Sequence, residues 1–251
     1  MILEIDAGNS RIKWRLVPGT EADDSELLAD VADDEEALFT QLANLSGIEA
    51  VRLSCVRGAE SIEAVKAWAA EALGLAVQVA TVTRSCAGVR NQYEELSRLG
   101  VDRWLAIIAA YNRAQSACVI VDAGTAITVD VLAKDGEHQG GYILPGRRLM
   151  ARAIEDNTRI RLLEEPKPST ALGHGTEAAV CNGIYASQIA LLQSVIADTL
   201  TASGRLKLFL AGGDAVVLSE LLGSSEEYES EIVSDLVLDG LALVCTEDSN
   251  R

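Results

Sequence analysis

Two short stretches carry the residue types that could hold phosphate. Asp6-Ala7-Gly8-Asn9-Ser10 follows the apolar Ile2, Leu3 and Ile5, and Asp122-Ala123-Gly124-Thr125 follows Val119, Ile120 and Val121. Glycine and small polar residues at a hairpin turn leave backbone N–H groups and hydroxyls bare, and phosphate oxygens need such donors at close range. An Asp at the end of the preceding strand can hold a hydrated cation that offsets phosphate charge. One copy reads as an ordinary tight turn. Two copies, each between strands of the right period, read as paired turns gripping a triphosphate from both sides. Leu210-Ala211-Gly212-Gly213-Asp214-Ala215 adds a strand-to-helix glycine turn suited to an adenosine moiety.

Phosphoryl transfer also needs an aligned base. Asp102, between Gly100 and an apolar helix expected from Arg103 to about Ala114, is the carboxylate in position for that work. Asp is also a favoured helix N-cap, and on the residues alone the cap is the leading reading. Other chemistries find less support. No G-x-x-x-x-G-K-[ST] occurs, which excludes a Walker-type site. Gly173-His174-Gly175-Thr176-Glu177-Ala178 imitates a dinucleotide fingerprint but lacks a preceding strand, and reads as a helix start. His138 and His174 are the only histidines and belong to no nucleophile or metal pattern, so both read as structural or surface residues. Trp14, Trp68 and Trp104 read as core aromatics.

The elements that must position these residues follow from periodicity. Strands are expected at both ends of each Asp-Ala-Gly turn, at 50–56, 76–82 and 139–146, and in the run beginning Leu206. Helices are expected at 60–74, about 147–156, 176–200 and from Val237 onward. The pattern restarts near residue 115, implying two similar α/β halves, 1–115 and 116–251, a split that rests on the repeated motif alone. The 176–200 helix carries apolar residues over more than one stripe, from Ala178, Ala179 and Val180 to Val195 and Ile196. Either it lies wholly inside one chain, or it buries a second face against another copy.

The 251 residues, 49% hydrophobic, are ample for a core, and a formal charge of −17 disfavours nucleic acid and anionic membranes as partners. The acidic stretch 20–37 reads as a solvated loop and helix face. Five scattered cysteines (Cys55, Cys86, Cys118, Cys181, Cys245) read as free thiols of a reducing compartment. With no basic leader and no apolar run of spanning length, a cytoplasmic protein is expected.

In their order and spacing, DAGNS (6–10), LGVDRW (99–104), DAGTAITVD (122–130), GGYILPG (140–146) and LAGGDA (210–215) resemble the type III pantothenate kinases of the actin, sugar kinase and Hsp70 ATPase superfamily. The resemblance runs nearly end to end. It implies two duplicated ribonuclease H-like halves facing each other across a nucleotide cleft, and ATP-dependent phosphorylation of pantothenate with Mg²⁺ and K⁺ or NH₄⁺. It implies Asp102 as general base, and Asp6, Ala7, Gly8, Asn9, Ser10, Arg11, Ile12, Lys13 and Thr125 as the ATP contacts. Tyr93, Gly100, Val101, Asp102, Arg103 and Thr176 fall to the pantothenate pocket, Asp122 to the monovalent cation, and a homodimer is implied. The chain departs from the usual Asn-Pro-Tyr at Asn91-Gln92-Tyr93, which loosens the pocket loop on paper. Composition and spacing alone reach a phosphotransferase, leaving a sugar or other small alcohol as acceptor. Members of the family have also been described as transcription-related accessory proteins.

Overall fold

The computed structural model describes residues 1–19 and 28–248. Most of the acidic run's first half, 20–27, lies outside the described residues. The strands are β1 (Ile2–Ala7), β2 (Ile12–Val17), β3 (Leu28–Ala32), β4 (Ala50–Cys55), β5 (Val77–Val79), β6 (Ser85–Cys86), β7 (Val89–Arg90), β8 (Cys118–Ala123), β9 (Ala126–Leu132), β10 (His138–Pro145), β11 (Lys207–Ala211) and β12 (Glu229–Ile232). The helices are α1 (Glu35–Leu42), α2 (Ala59–Trp68), α3 (Val101–Ala114), α4 (Arg147–Asn157), α5 (Thr176–Ser203), α6 (Ala215–Leu222) and α7 (Leu236–Asp248).

Two five-stranded sheets have the same construction. The first runs β3-β2-β1-β4-β5 and the second β10-β9-β8-β11-β12. In each, the first three strands in sequence are antiparallel and the last two join parallel to the first. The duplication read from the repeated turn is therefore a duplication of sheet topology. Each central strand is buried on both faces, which explains the near-continuous apolar runs of β1 and β8.

The chain divides into one unit of Met1–Ala87, Tyr93–Ala109 and the stretch from Asp235, and a second of Gly88–Gln92 and Ala110–Ser234. This corrects the single cut near residue 115. The C-terminal helix α7 packs on β1 and β4 of the first sheet. At Gly240 it lies against the backbone of Leu105, where any Cβ would collide with the carbonyl.

The reason is visible on the face of the first sheet that α7 covers. The register sets Glu4 directly between Arg15 on β2 and Arg52 on β4. Glu4 is fully buried and accepts from Arg15 Nε at 2.7 Å and from Arg52 Nη1 at 2.9 Å, while Arg15 Nη1 reaches Asp239 of α7 at 2.7 Å. Arg15 itself is buried, with α7 lying over it. Burial alone would pull the Arg15 pKa down, but Asp239 and Glu4 more than offset this and leave it raised.

In the second unit α5 covers one face of the sheet through Tyr185, Ile189, Leu192, Val195 and Ile196, a single helical stripe. By length and composition α5 would suffice to cross a membrane, contrary to the sequence reading, yet that stripe lies in the core of its own unit. Gly204, left-handed, ends the helix by donating to Leu200 O at 2.7 Å. His138 is fully buried, its Nε2 at 2.8 Å from Asp130 Oδ1. All five cysteines are free, and burial pushes the Cys118 thiol up to about 12.

Glu4→Gln should destabilise the first unit by about 3–5 kcal/mol, the scale for removing one partner from a buried ion cluster. Urea unfolding followed by tryptophan fluorescence checks this, because Trp14, Trp68 and Trp104 all lie in that unit. A loss below about 1 kcal/mol would mean that water already solvates the cluster.

Candidate active site

The first turn joins β1 to β2. Asp6 stands opposite Lys13 across the hairpin and accepts a 3.0 Å hydrogen bond from Ser54 Oγ on the parallel strand β4. Asn9, Ser10 and Arg11 are exposed, while Asp6, Gly8 and Lys13 are half-buried. The turn is tight: a Cβ on Gly8 would sit 3.2 Å from Arg11 O. Ala7 and Ile12, both expected at the nucleotide, are fully buried in the core of the first sheet. Any contact from these two is thus restricted to their backbone. Sequence reasoning missed Arg57, which donates from Nε to Gly8 O at 2.7 Å. No local pattern marks it, because it lies 49 residues from the turn it touches.

A second group gathers around the start of α3. That helix begins at Val101, so Asp102 lies within its first turn, and Asp102 Oδ1 accepts from Arg103 N at 2.8 Å. A carboxylate is favourably placed there with respect to the helix dipole. Gly100 leaves room for it, since a Cβ on Gly100 would collide with Asp102 Oδ1. Arg103 is buried, donates from Nη1 to the Tyr93 hydroxyl at 2.9 Å, and has its guanidinium carbon 5.7 Å from the centre of the Tyr93 ring. The structure thus brings Tyr93, Gly100, Val101, Asp102 and Arg103 together. The loop lacking its usual proline is fastened otherwise: Arg84 donates to Tyr93 O at 2.8 Å and to Glu94 O at 3.4 Å.

The second unit repeats the turn with different support. Asp122 is half-buried at the end of β8, while Gly124 and Thr125 are exposed. Gly212, at φ +86°, is packed so closely that a Cβ would fall 2.5 Å from Asp122 Oδ1 and 2.6 Å from Ala123 O. Gly146 N donates to Thr125 O at 2.9 Å, and Asp214 N donates to Ala123 O at 3.0 Å. The second Asp-Ala-Gly turn, the Pro145-Gly146 turn and the Gly212-Gly213 turn therefore form one backbone cluster. Arg147, also missed from sequence, opens α4 beside it and pairs with Glu165 at 2.7 Å, with Asp214 4.0 Å away. Thr176, exposed at the first position of α5, lines an apolar groove of about 700 Å³ between α4 and α5, with Pro145, Leu149, Met150 and Val180.

The donors suit hard cations. Asp6 and Asp122 each present a carboxylate beside a phosphate-type turn, and Mg²⁺ is normally held by one or two carboxylates together with the phosphates themselves. Asp122 has the Ala123 carbonyl nearby, an all-oxygen setting that also fits a monovalent cation.

A model of the type III pantothenate kinase family matches residues 2–198. The type III pantothenate kinase of Pseudomonas paraeruginosa is 36% identical over 254 residues, covering 98% of this chain and 99% of that protein. Among solved structures, a Campylobacter jejuni protein titled "conserved putative Baf family transcriptional activator" aligns with TM-score 0.56 and 20% identity, over 99% of this chain and all of that one. A Sinorhizobium meliloti "putative 2-dehydro-3-deoxygalactonokinase protein" aligns with TM-score 0.58 and 13% identity, over 99% of both chains. At such identities the structural likeness is one of fold, the duplicated ribonuclease H-like halves of the actin-like sugar kinases.

Proposed function

Because the chain belongs to the type III pantothenate kinase family, and phosphorylates pantothenate with ATP in the first step of coenzyme A synthesis, we propose a division of labour among its residues. Asp102 is the general base. Its carboxylate takes the proton from the terminal hydroxyl of pantothenate as that oxygen attacks the γ-phosphorus of ATP, and the bond to the bridging oxygen of ADP breaks. The observation that carries this role is the placement of Asp102 in the first turn of α3, next to the Arg103–Tyr93 pair. Arg103 offers a guanidinium to the carboxylate that pantothenate carries, a pairing that favours arginine. Tyr93 holds that guanidinium in place. Gly100 and Val101 line the pocket through their backbone, and Thr176 supplies a hydroxyl.

ATP is held at the first turn by the N–H groups of Gly8, Asn9 and Ser10, with the Arg11 and Lys13 cations against phosphate charge. Ala7 and Ile12 contribute main-chain atoms only, and Thr125 of the second turn adds a hydroxyl. Asp6 faces the Mg²⁺ that accompanies the nucleotide, and Asp122 a K⁺ or NH₄⁺ ion; both ions screen phosphate charge. The net charge of −17 supports small-molecule partners in the cytoplasm rather than nucleic acid or a membrane. The enzyme is a homodimer through the α4–α5 groove. Ala179 is exposed and Val180 half-buried, so the apolar lining of this groove has no full cover among the described residues.

Asp102→Asn should keep folding and ATP binding while turnover falls by roughly 10²–10⁴-fold, the usual contribution of a general base. Steady-state ADP release measures it; near-normal turnover would reduce Asp102 to a helix-terminus residue.

An uncompensated Asp122 would repel a triphosphate, so activity should collapse when K⁺ and NH₄⁺ are replaced by Na⁺ or a bulky organic cation at equal ionic strength. Equal rates in all four salts would remove the cation from the mechanism.

Ala179→Arg places a charge in the groove at an exposed position. Sedimentation velocity should then show monomers where the parent chain sediments as a dimer. Unchanged dimerisation would put the interface elsewhere.

A further inference from the structure

The turn between β1 and β2 has a chain-remote support that the reaction scheme leaves unused. Backbone pairing runs one residue past the end of β4, Val56 N donating to Ala7 O at 3.1 Å, and this delivers Arg57 alongside Gly8. Arg57 then spends its donors in three directions. Nε goes to Gly8 O at 2.7 Å, Nη2 to Asp33 O at 3.0 Å, and Nη1 to Glu35 Oε2 at 3.3 Å. Glu35 lies in the first turn of α1, whose N-cap Asp34 accepts from Ala37 N, and it also accepts from Ser61 Oγ on α2. The Ser61 hydrogen bond chiefly, then a hydrogen bond from its own backbone and after that the Arg57 charge, hold the Glu35 carboxyl below its usual range against the opposing effect of burial. Glu35 therefore stays an anion at neutral pH, and the guanidinium keeps its counter-charge.

Two consequences follow. Each nitrogen of Arg57 already has a protein acceptor, and the side chain is only 16% exposed, so this arginine is built into the wall rather than extended toward a ligand. What it controls is the peptide between Gly8 and Asn9. That peptide is trans and planar, so its C=O and N–H point in opposite directions. Fixing the Gly8 carbonyl on Arg57 turns the Asn9 N–H away from the wall, on the side where Asn9 and Ser10 are exposed. Glycine at position 8 leaves this peptide more freedom to rotate than any other residue would, and the guanidinium removes that freedom before the nucleotide arrives.

We propose that Arg57 is a positioning residue of the phosphate turn: by holding the Gly8 carbonyl, it preorients the Asn9 amide as a donor to a phosphate oxygen of ATP. This rests on the reading that the Asp6–Lys13 turn holds phosphate, and the test separates the two. Three variants are compared with the parent enzyme: Arg57→Gln, Arg57→Lys, and Asn9→Pro, which removes the donor N–H itself. KM for ATP, KM for pantothenate, kcat at saturation, the melting temperature and calorimetric binding of a non-hydrolysable ATP analogue are measured for each.

Arg57→Gln should raise KM for ATP and weaken analogue binding by about tenfold to a hundredfold, the worth of one hydrogen bond to a charged group. KM for pantothenate should change less than twofold. Arg57→Lys, which keeps the charge but offers no fork of donors, should fall between Arg57→Gln and the parent. In the Asn9→Pro background, Arg57→Gln should add little, because both act on one donor. If Asn9→Pro weakens ATP binding and Arg57→Gln does not, or lowers only the melting temperature, the role of Arg57 is overturned and the turn stands. If Asn9→Pro leaves ATP binding unchanged, the phosphate reading of the turn falls, and the role of Arg57 with it. Should Arg57→Gln fail to fold, Arg57→Lys gives the same decision through its split between the two KM values.

Discussion

The structure depends on one arrangement used twice: an Asp one residue from the end of a central strand, with a hairpin turn after it and a parallel strand beside it. The hairpin supplies the exposed turn and the parallel strand supplies what supports the Asp. In the first sheet the neighbour is Ser54, whose hydroxyl holds Asp6. In the second it is Ala211, followed by Gly212, whose missing side chain makes room for Asp122. Ser54 Oγ donates to the carboxylate in the first copy, and in the second Gly212 leaves the room that the carboxylate occupies.

The same comparison explains how the corresponding faces of the two sheets diverged. The position of Glu4, flanked by Arg15 and Arg52, corresponds in the second sheet to Ile120, flanked by Asp130 and Phe209. All six residues are buried or nearly so. At these positions one copy solves the packing problem with cross-strand ion pairs, the other with apolar contact and an Asp130–His138 pair, a Lys207–Glu231 pair lying nearer the sheet edge. Ion pairs demand partners in fixed directions, whereas apolar contact does not. The first sheet therefore has a stricter requirement for what lies over it, and Asp239 on α7 meets part of that requirement.

These features bear on what could be read from sequence. Both Asp-Ala-Gly turns, their strand pairs and the main helices were legible because central strands and core helices must show period or continuous apolarity. The edge strands β3 and β12 were not: LADVA and ESEI are mostly exposed, so no alternation marks them. The affiliation of α7 was hidden because an apolar helix does not say which sheet it covers. The core positions of Ala7 and Ile12 followed from the strand period, but a motif carried over as a block includes residues that hold the turn as well as those that face the ligand. Arg57 and Arg147 lie beyond any local pattern, since their partners come from other elements of the fold.

Long sequence separation also orders the assembly of the first unit. The turn at Gly8 is supported from 48 and 49 residues away by Ser54 and Arg57, and the strand pair behind it is covered by a helix whose Asp239 lies 224 residues beyond Arg15. Until α7 is in place, Arg15 and Arg52 must either remain hydrated, leaving the outer face of β1 open, or be buried with only Glu4 between them. Two guanidiniums against one carboxylate is an unfavourable charge balance in a dry interior. Docking of α7 supplies the second carboxylate and excludes water in the same event. The hairpin of β1 and β2 is thus completed only when α7 is docked, so its packing depends on a segment far removed from it in sequence.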